Sequence, residues 1–120
     1  MSVQIGDVFW HTVTYRSGES ETRPVVIFDI CDDEVLPGFA TITGSEIKDL
    51  DGTYDKWKVP LFQWKSACLE KPSYVKANCY AYIPISAFET KKYIGRMSQY
   101  DFSNVIRTIE EFVESDETPW

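Results

Sequence analysis

Arg23 is the residue of this sequence whose type and position best suit chemistry on a phosphate. It stands between a polar stretch, Arg16 to Thr22, and an aliphatic run, Pro24 to Ile30. An arginine at such a junction is anchored on stiff backbone and still reaches solvent, and its planar, permanently charged fork of donors matches phosphate oxygens. The same position also suits a surface ion pair. His11 is the only histidine and falls mid-strand, with no other residue pointing to a Ser-His or Cys-His nucleophilic pair, so a structural or cleft-lining role is expected for it. Cys31, Cys68 and Cys79 are odd in number, far apart and outside any C-x-x-C pattern. They read as buried free thiols, and indicate neither a disulfide framework nor a zinc site.

The acidic groups resolve the same way. Asp49 to Asp55 imitates a calcium loop, but its twelfth position, where a bidentate Glu is needed, is Pro60. A solvated turn is the expectation there, and a solvated bend at Asp32-Asp33-Glu34. No phosphate-cradling glycine loop, nucleotide-binding fingerprint or H-E-x-x-H motif is present, so neither metal nor cofactor is expected.

Positioning these residues falls to strands more than helices. The chain has 120 residues, 43% of them hydrophobic, which supports a single domain over 1–114, followed by an acidic tail, 115–120, that reads as frayed. Aromatics at 15% favour a β-rich core. Val8 to Tyr15 alternates, with Val8, Trp10, Thr12 and Thr14 on one face and Phe9, His11, Val13 and Tyr15 on the other. Residues 16–22 read as a flexible loop, Pro24 to Ile30 as a strand buried on both faces, Cys31 to Gly38 as a loop, and Phe39 to Thr43 as a third strand. Asp51-Gly52 marks a turn before a strand over Trp57 to Phe62, which Pro60 restricts to an edge, and Tyr80 to Ile85 alternates again. Behind the capping signal Ser98-Gln99-Tyr100-Asp101, apolar residues Phe102, Val105, Ile106, Ile109, Phe112 and Val113 recur at helical spacing and predict a helix ending near Glu114.

Twelve basic against nineteen acidic residues leave a charge of -7, which repels nucleic acid at long range. Local phosphate affinity depends on a basic groove and not on that sum, and much of the excess sits at Glu110, Glu111, Glu114, Asp116 and Glu117. The N-terminus has neither a basic n-region nor an apolar h-region, and no stretch approaches a membrane span, so a cytoplasmic location with no membrane contact is expected.

Several segments, in order, resemble PemK/MazF-like toxins. They are Ile5-Gly6-Asp7-Val8-Phe9-Trp10, the Gly/Ser/Glu loop, Thr22-Arg23-Pro24-Val25-Val26-Ile27, and Ala40-Thr41-Ile42-Thr43. Further on, Trp64 to Leu69 leads into Lys71-Pro72-Ser73-Tyr74-Val75, and Ile94-Gly95-Arg96-Met97-Ser98 precedes Asp101 and Val105. The resemblance implies a mainly β fold, a small SH3-like β-barrel with a short helical turn and a C-terminal α-helix, assembled as a homodimer. It implies an mRNA interferase, the toxin of a toxin-antitoxin pair, that cleaves single-stranded RNA without metal and is silenced by an antitoxin whose disordered segment fills the RNA groove. Arg23 matches the family arginine before proline and Thr43 the family threonine. Arg23 then stabilises the charge that 2′-hydroxyl attack builds on phosphorus, and Thr43 holds a phosphate oxygen in line. Glu19 is the expected proton acceptor with Glu21 as the alternative, and Arg16, Gly18, Ser20, Glu21 and Ser73 are the expected RNA contacts. The family's G-S-E-Q order is written Gly18-Glu19-Ser20-Glu21 here, in a shorter loop, and Cys68 stands where a glycine is usual.

Two other readings remain open. One is a non-catalytic SH3-like module that binds a basic peptide through exposed aromatics such as Trp57, Tyr74 and Tyr93. The other is a relative of the toxin that has lost activity.

Overall fold

The computed structural model describes residues 4–15, 17–31, 36–45, 47, 52, 55–84 and 92–118. Among these residues six strands and one helix follow in chain order: β1 Asp7–Thr14, β2 Ser20–Cys31, β3 Leu36–Thr43, β4 Lys58–Pro60, β5 Tyr74–Tyr82, β6 Tyr93–Arg96 and α1 Gln99–Glu114. All neighbouring strands are antiparallel, in one sheet of order β4-β5-β3-β2-β1-β6. The mainly β class and the C-terminal helix are as expected. The barrel is not: among the described residues the hydrogen-bonded ladder does not close, and β4 and β6 are its two ends. Pro60 does sit on an end strand, as its missing N–H requires.

Element bounds differ from the sequence reading where polar residues pair and where short strands hide in apolar runs. β2 starts at Ser20, inside the expected loop, and continues to Cys31, while β3 begins at Leu36. The expected strand Trp57–Phe62 shrinks to the three residues of β4, and β5 begins six residues before Tyr80 and ends at Tyr82. β6 lies in a segment read only as the approach to the helix. Ile85, Asp32 to Glu34 and most of Asp49 to Asp55 lie outside the described residues.

Alternation on β1 separates two buried clusters. The first face carries Val8, Val26, Ala40, Ile42, Val75 and Ala77, covered by Met97, Val105 and Ile109 at and within the helix. The second carries Phe9, Val13, Val25, Ile27, Phe39 and Cys79. Four consecutive β2 residues, Val25 to Phe28, are buried, as a strand covered on both faces demands.

The helix is seated by its own cap. Ser98 Oγ accepts from Asp101 N (3.2 Å), and the buried Asp101 carboxylate accepts from Phe62 N (2.9 Å) and Gln63 N (2.8 Å). The capping acid thus ties the helix to residues 62–68, where consecutive i→i−3 bonds form the expected short helical turn. That turn ends at Cys68 with φ +63°, and Leu69 N donates to Trp64 O (3.2 Å). A left-handed residue ending a turn is a glycine niche, which explains why the resemblance expects glycine at this position.

At the other end of the helix, Ser115 N donates to Glu111 O, and Glu117 reaches Lys56 Nζ (2.8 Å) and Trp57 Nε1 (3.3 Å). The acidic tail is anchored at that residue.

Candidate functional site

The site begins with the β1–β2 hairpin. Tyr15 N donates to Glu19 O (2.8 Å) and Gly18 N to Tyr15 O (2.9 Å), with Gly18 at φ +92°, a conformation that favours glycine. Beyond this turn Ser20 pairs with Thr14, Glu21 with Val13, Thr22 with Thr12 and Arg23 with His11. The polar residues that look like a loop satisfy one another across the ladder, through Thr14–Ser20 (2.9 Å) and Thr12–Thr22 (3.2 Å) hydroxyl contacts. Arg23 therefore lies within a twelve-residue strand, and not at the loop–strand junction that its sequence neighbours suggest.

Register then aligns Arg23 with Thr43. The β2–β3 pairing ends at Val25 opposite Thr41, and continuing it by two residues sets Arg23 opposite Thr43. Directly opposed residues share a face, so both belong with His11 and Tyr74 to one row across the second face. Yet β2 stays paired to β1 as far as Ser20, and β3 to β5 as far as Thr43. The sheet is split between β2 and β3 at this end. A cavity of about 260 Å³ opens there, with Arg23 and Thr43 on its two walls and Ser73, Lys71, Leu69 and Ile94 among its other lining residues.

The electrostatics centre on the guanidinium. Arg23 Nε donates to Glu21 Oε2 (2.7 Å), and the two side chains remain 40% and 43% exposed, enough to admit a ligand. That bond, and then the neighbouring Glu21 and Tyr15, hold the guanidinium above the usual arginine value. The Tyr15 phenol is pushed up by burial and by Glu21 against the pull of the neighbouring Arg23. Lys76 Nζ stands 5.6 Å from the centre of the Tyr15 ring, and burial, with the charges of Lys58 and Arg23, lowers its pKa. Sequence reasoning missed Tyr15 and Lys76. The only signal was Tyr15's place on the same face of β1 as His11, and nothing local marks Lys76.

The other expected residues fall as follows. Glu21 touches Arg23, whereas Glu19 is exposed in the turn with Gly18, and neither carboxylate is among the residues lining the cavity. Ser20 spends its hydroxyl on Thr14. Ser73 lines the cavity but is buried and donates to Lys71 O (2.8 Å), so its hydroxyl braces the bend before β5. Arg16 and the Cys31 side chain lie outside the described residues. His11 is buried opposite Arg23 and meets the Phe39 ring edge-on at 4.9 Å. Cys79 is buried against Thr41 Oγ1 (3.2 Å), but Cys68 is exposed, contrary to the expected burial, because it ends a surface turn. Of the three aromatics proposed as an exposed groove, only Tyr93 is exposed: Tyr74 is half-buried, and Trp57 packs edge-on against Phe112.

Among the described residues no three His, Cys, Asp or Glu side chains are arranged to hold a metal ion, and no helix is long and apolar enough to cross a membrane.

Neither a protein-family model nor a curated protein sequence matches the chain. Solved structures do. One is Mycobacterium tuberculosis toxin MazF-mt6, which superposes with a TM-score of 0.55 and 19% identity over 93% of this chain and 99% of that chain. At that identity the likeness speaks for architecture: the chain has a MazF-like fold.

Proposed function

We propose that this chain is a metal-independent endoribonuclease that cleaves single-stranded mRNA as the toxin of a toxin-antitoxin pair. The observation that carries the reading is the split in the sheet, where Arg23 and Thr43, from the two parted strands, both line one cavity. A fixed, partly exposed guanidinium is the group that a pentacoordinate phosphorus needs, because it stabilises charge that develops only as the bond forms. Thr43 Oγ1, which already accepts from Ser45 N (3.2 Å), keeps its hydroxyl proton for a phosphate oxygen.

In the proposed reaction the ribose 2′-oxygen attacks phosphorus while its proton passes to a carboxylate. The bond to the 5′-oxygen breaks, and that oxygen takes a proton from water, leaving a cyclic phosphate and a 5′-hydroxyl. Glu21 suits the acceptor role better than Glu19, since it lies beside Arg23. Phosphate entering the site competes with Glu21 for the guanidinium, and release from Arg23 frees the carboxylate for the proton. The fold likeness to a toxin supports the toxin assignment, and with it an antitoxin partner, a homodimer and a cytoplasmic location.

The test is cleavage of a long mixed-sequence RNA in EDTA by purified protein, with growth followed on expression. Arg23→Ala should lower cleavage about a hundredfold, the usual loss of one preorganised donor, and abolish growth arrest with an unchanged circular dichroism spectrum. Full activity in Arg23→Ala overturns the mechanism. Absence of cleavage by the parent overturns the enzyme.

A further inference from the structure

We propose that Lys76 binds the phosphodiester next to the one held at Arg23, and that Tyr15 sets the aim of both cations. This rests on the nuclease reading above and names two residues of the same site.

The argument starts from register. Lys76 faces Thr41, so it stands on the second face with Arg23 and Thr43, one row along the strands. One row is two residues, roughly 7 Å of strand, and β5 lies two strands across from β2, roughly 10 Å at right angles to it, so the two Cα atoms stand roughly 12 Å apart. Two long cationic side chains over such a span on one face suit neighbouring phosphates of an extended single strand better than two oxygens of one phosphate.

Tyr15 links them physically. Its ring centre lies 5.6 Å from Lys76 Nζ, and its phenol is close enough to Arg23 to help raise the guanidinium's pKa. A single side chain, one residue past the end of β1, therefore lies beside both charges. It is a positioning residue here, since nothing assigns it contact with the reacting atoms.

The character of the lysine points the same way. Burial lowers the pKa of Lys76, so the fold carries a partly desolvated ammonium at a position where an apolar side chain would cost less. On a chain of charge -7, a cation kept beside Arg23 at that cost is what an anionic backbone would use. A compact ammonium suits a non-scissile phosphate, which needs attraction without bidentate geometry.

The experiment uses the full chain, a single-stranded RNA that the parent cleaves, and a 2′-O-methyl copy of it that cannot react. Lys76→Gln should raise KM about tenfold and leave kcat within twofold, the pattern of a lost contact equally strong in ground and transition states. It should also flatten the dependence of log affinity for the 2′-O-methyl strand on log salt by about 0.7, one phosphate's share. Lys76→Arg should restore both.

Tyr15→Phe should instead lower kcat about tenfold with KM within twofold. Should Lys76→Gln lose its circular dichroism spectrum, Lys76→Met serves the same purpose at a half-buried site. If the parent cleaves and Arg23→Ala does not, while the Lys76 variants keep parental KM and salt slope, this inference falls and the nuclease reading stands. If the parent neither cleaves RNA nor binds the 2′-O-methyl strand, both fall together.

Discussion

Lys76 has a second consequence, in stability. Its folded pKa is lowered by burial, so the protonated lysine destabilises the folded state, and that penalty is complete below the folded pKa. As pH rises from there towards about 10.4, the unfolded lysine also loses its proton and the penalty disappears. Lys76→Met should therefore unfold at a higher temperature than the parent at neutral pH, and the difference should shrink on titration to alkaline pH. Equal melting at neutral pH would show that the ammonium is comfortably solvated. At this scale the sequence was informative only in part. Arg23 stands out as a candidate by its type and its R-P before aliphatics, and Thr43 only through the family resemblance. That the two meet at one cavity rests on register, which the sequence does not display. Tyr15 and Lys76 were not legible, because the register shifts between Ala40 and Thr41, and only that shift brings Lys76 opposite Thr41.

Among elements, the join between α1 and the turn over residues 62–68 depends on one carboxylate. Asp101 is 1% exposed and accepts two backbone N–H groups from the turn, at Phe62 and Gln63, while its own N–H caps on Ser98. Asp101→Ala should cost about 3 kcal/mol, since two part-buried backbone donors and the helix start lose a charged acceptor together, and should lower Tm by roughly 10 °C in a domain of this size. Thermal unfolding measures this directly, and a shift of only a degree or two would mean that water replaces the carboxylate. The sequence marked this residue as part of a helix start but could not reveal its partners, which lie 38 and 39 residues away. The hairpin shows the converse failure. Ser20 and Thr22 look like loop residues by composition, and only their hydroxyl partners on β1 explain why they are strand.

For the whole molecule, the excess of acid and the local cluster of Arg23 and Lys76 act at different ranges. The charge of -7 slows the approach of any polyanion, whereas the cluster acts only on contact. Screening shortens the long-range repulsion first, because the Debye length falls from about 30 Å at 0.01 M salt to about 10 Å at 0.1 M. The association rate for single-stranded RNA should therefore rise over that interval while the dissociation rate rises further, so affinity still falls. Stopped-flow fluorescence with a labelled strand resolves the two rates. An association rate that falls over the same interval would mean that a basic surface, and not the acidic one, governs the encounter.

The unclosed ladder has a further consequence for how copies of this chain meet. A sheet with two ends normally offers each of them to the next molecule as a template on which strands can add indefinitely. Here one terminal strand is three residues long and finishes on a proline nitrogen that has no hydrogen to give, and the other spans four residues. In the latter, Gly95 lies so close to Ala67 O that an added methyl would sit 2.6 Å from it, so the strand is held against its own turn. Among the described residues, growth of fibres from either rim has almost nothing to start on.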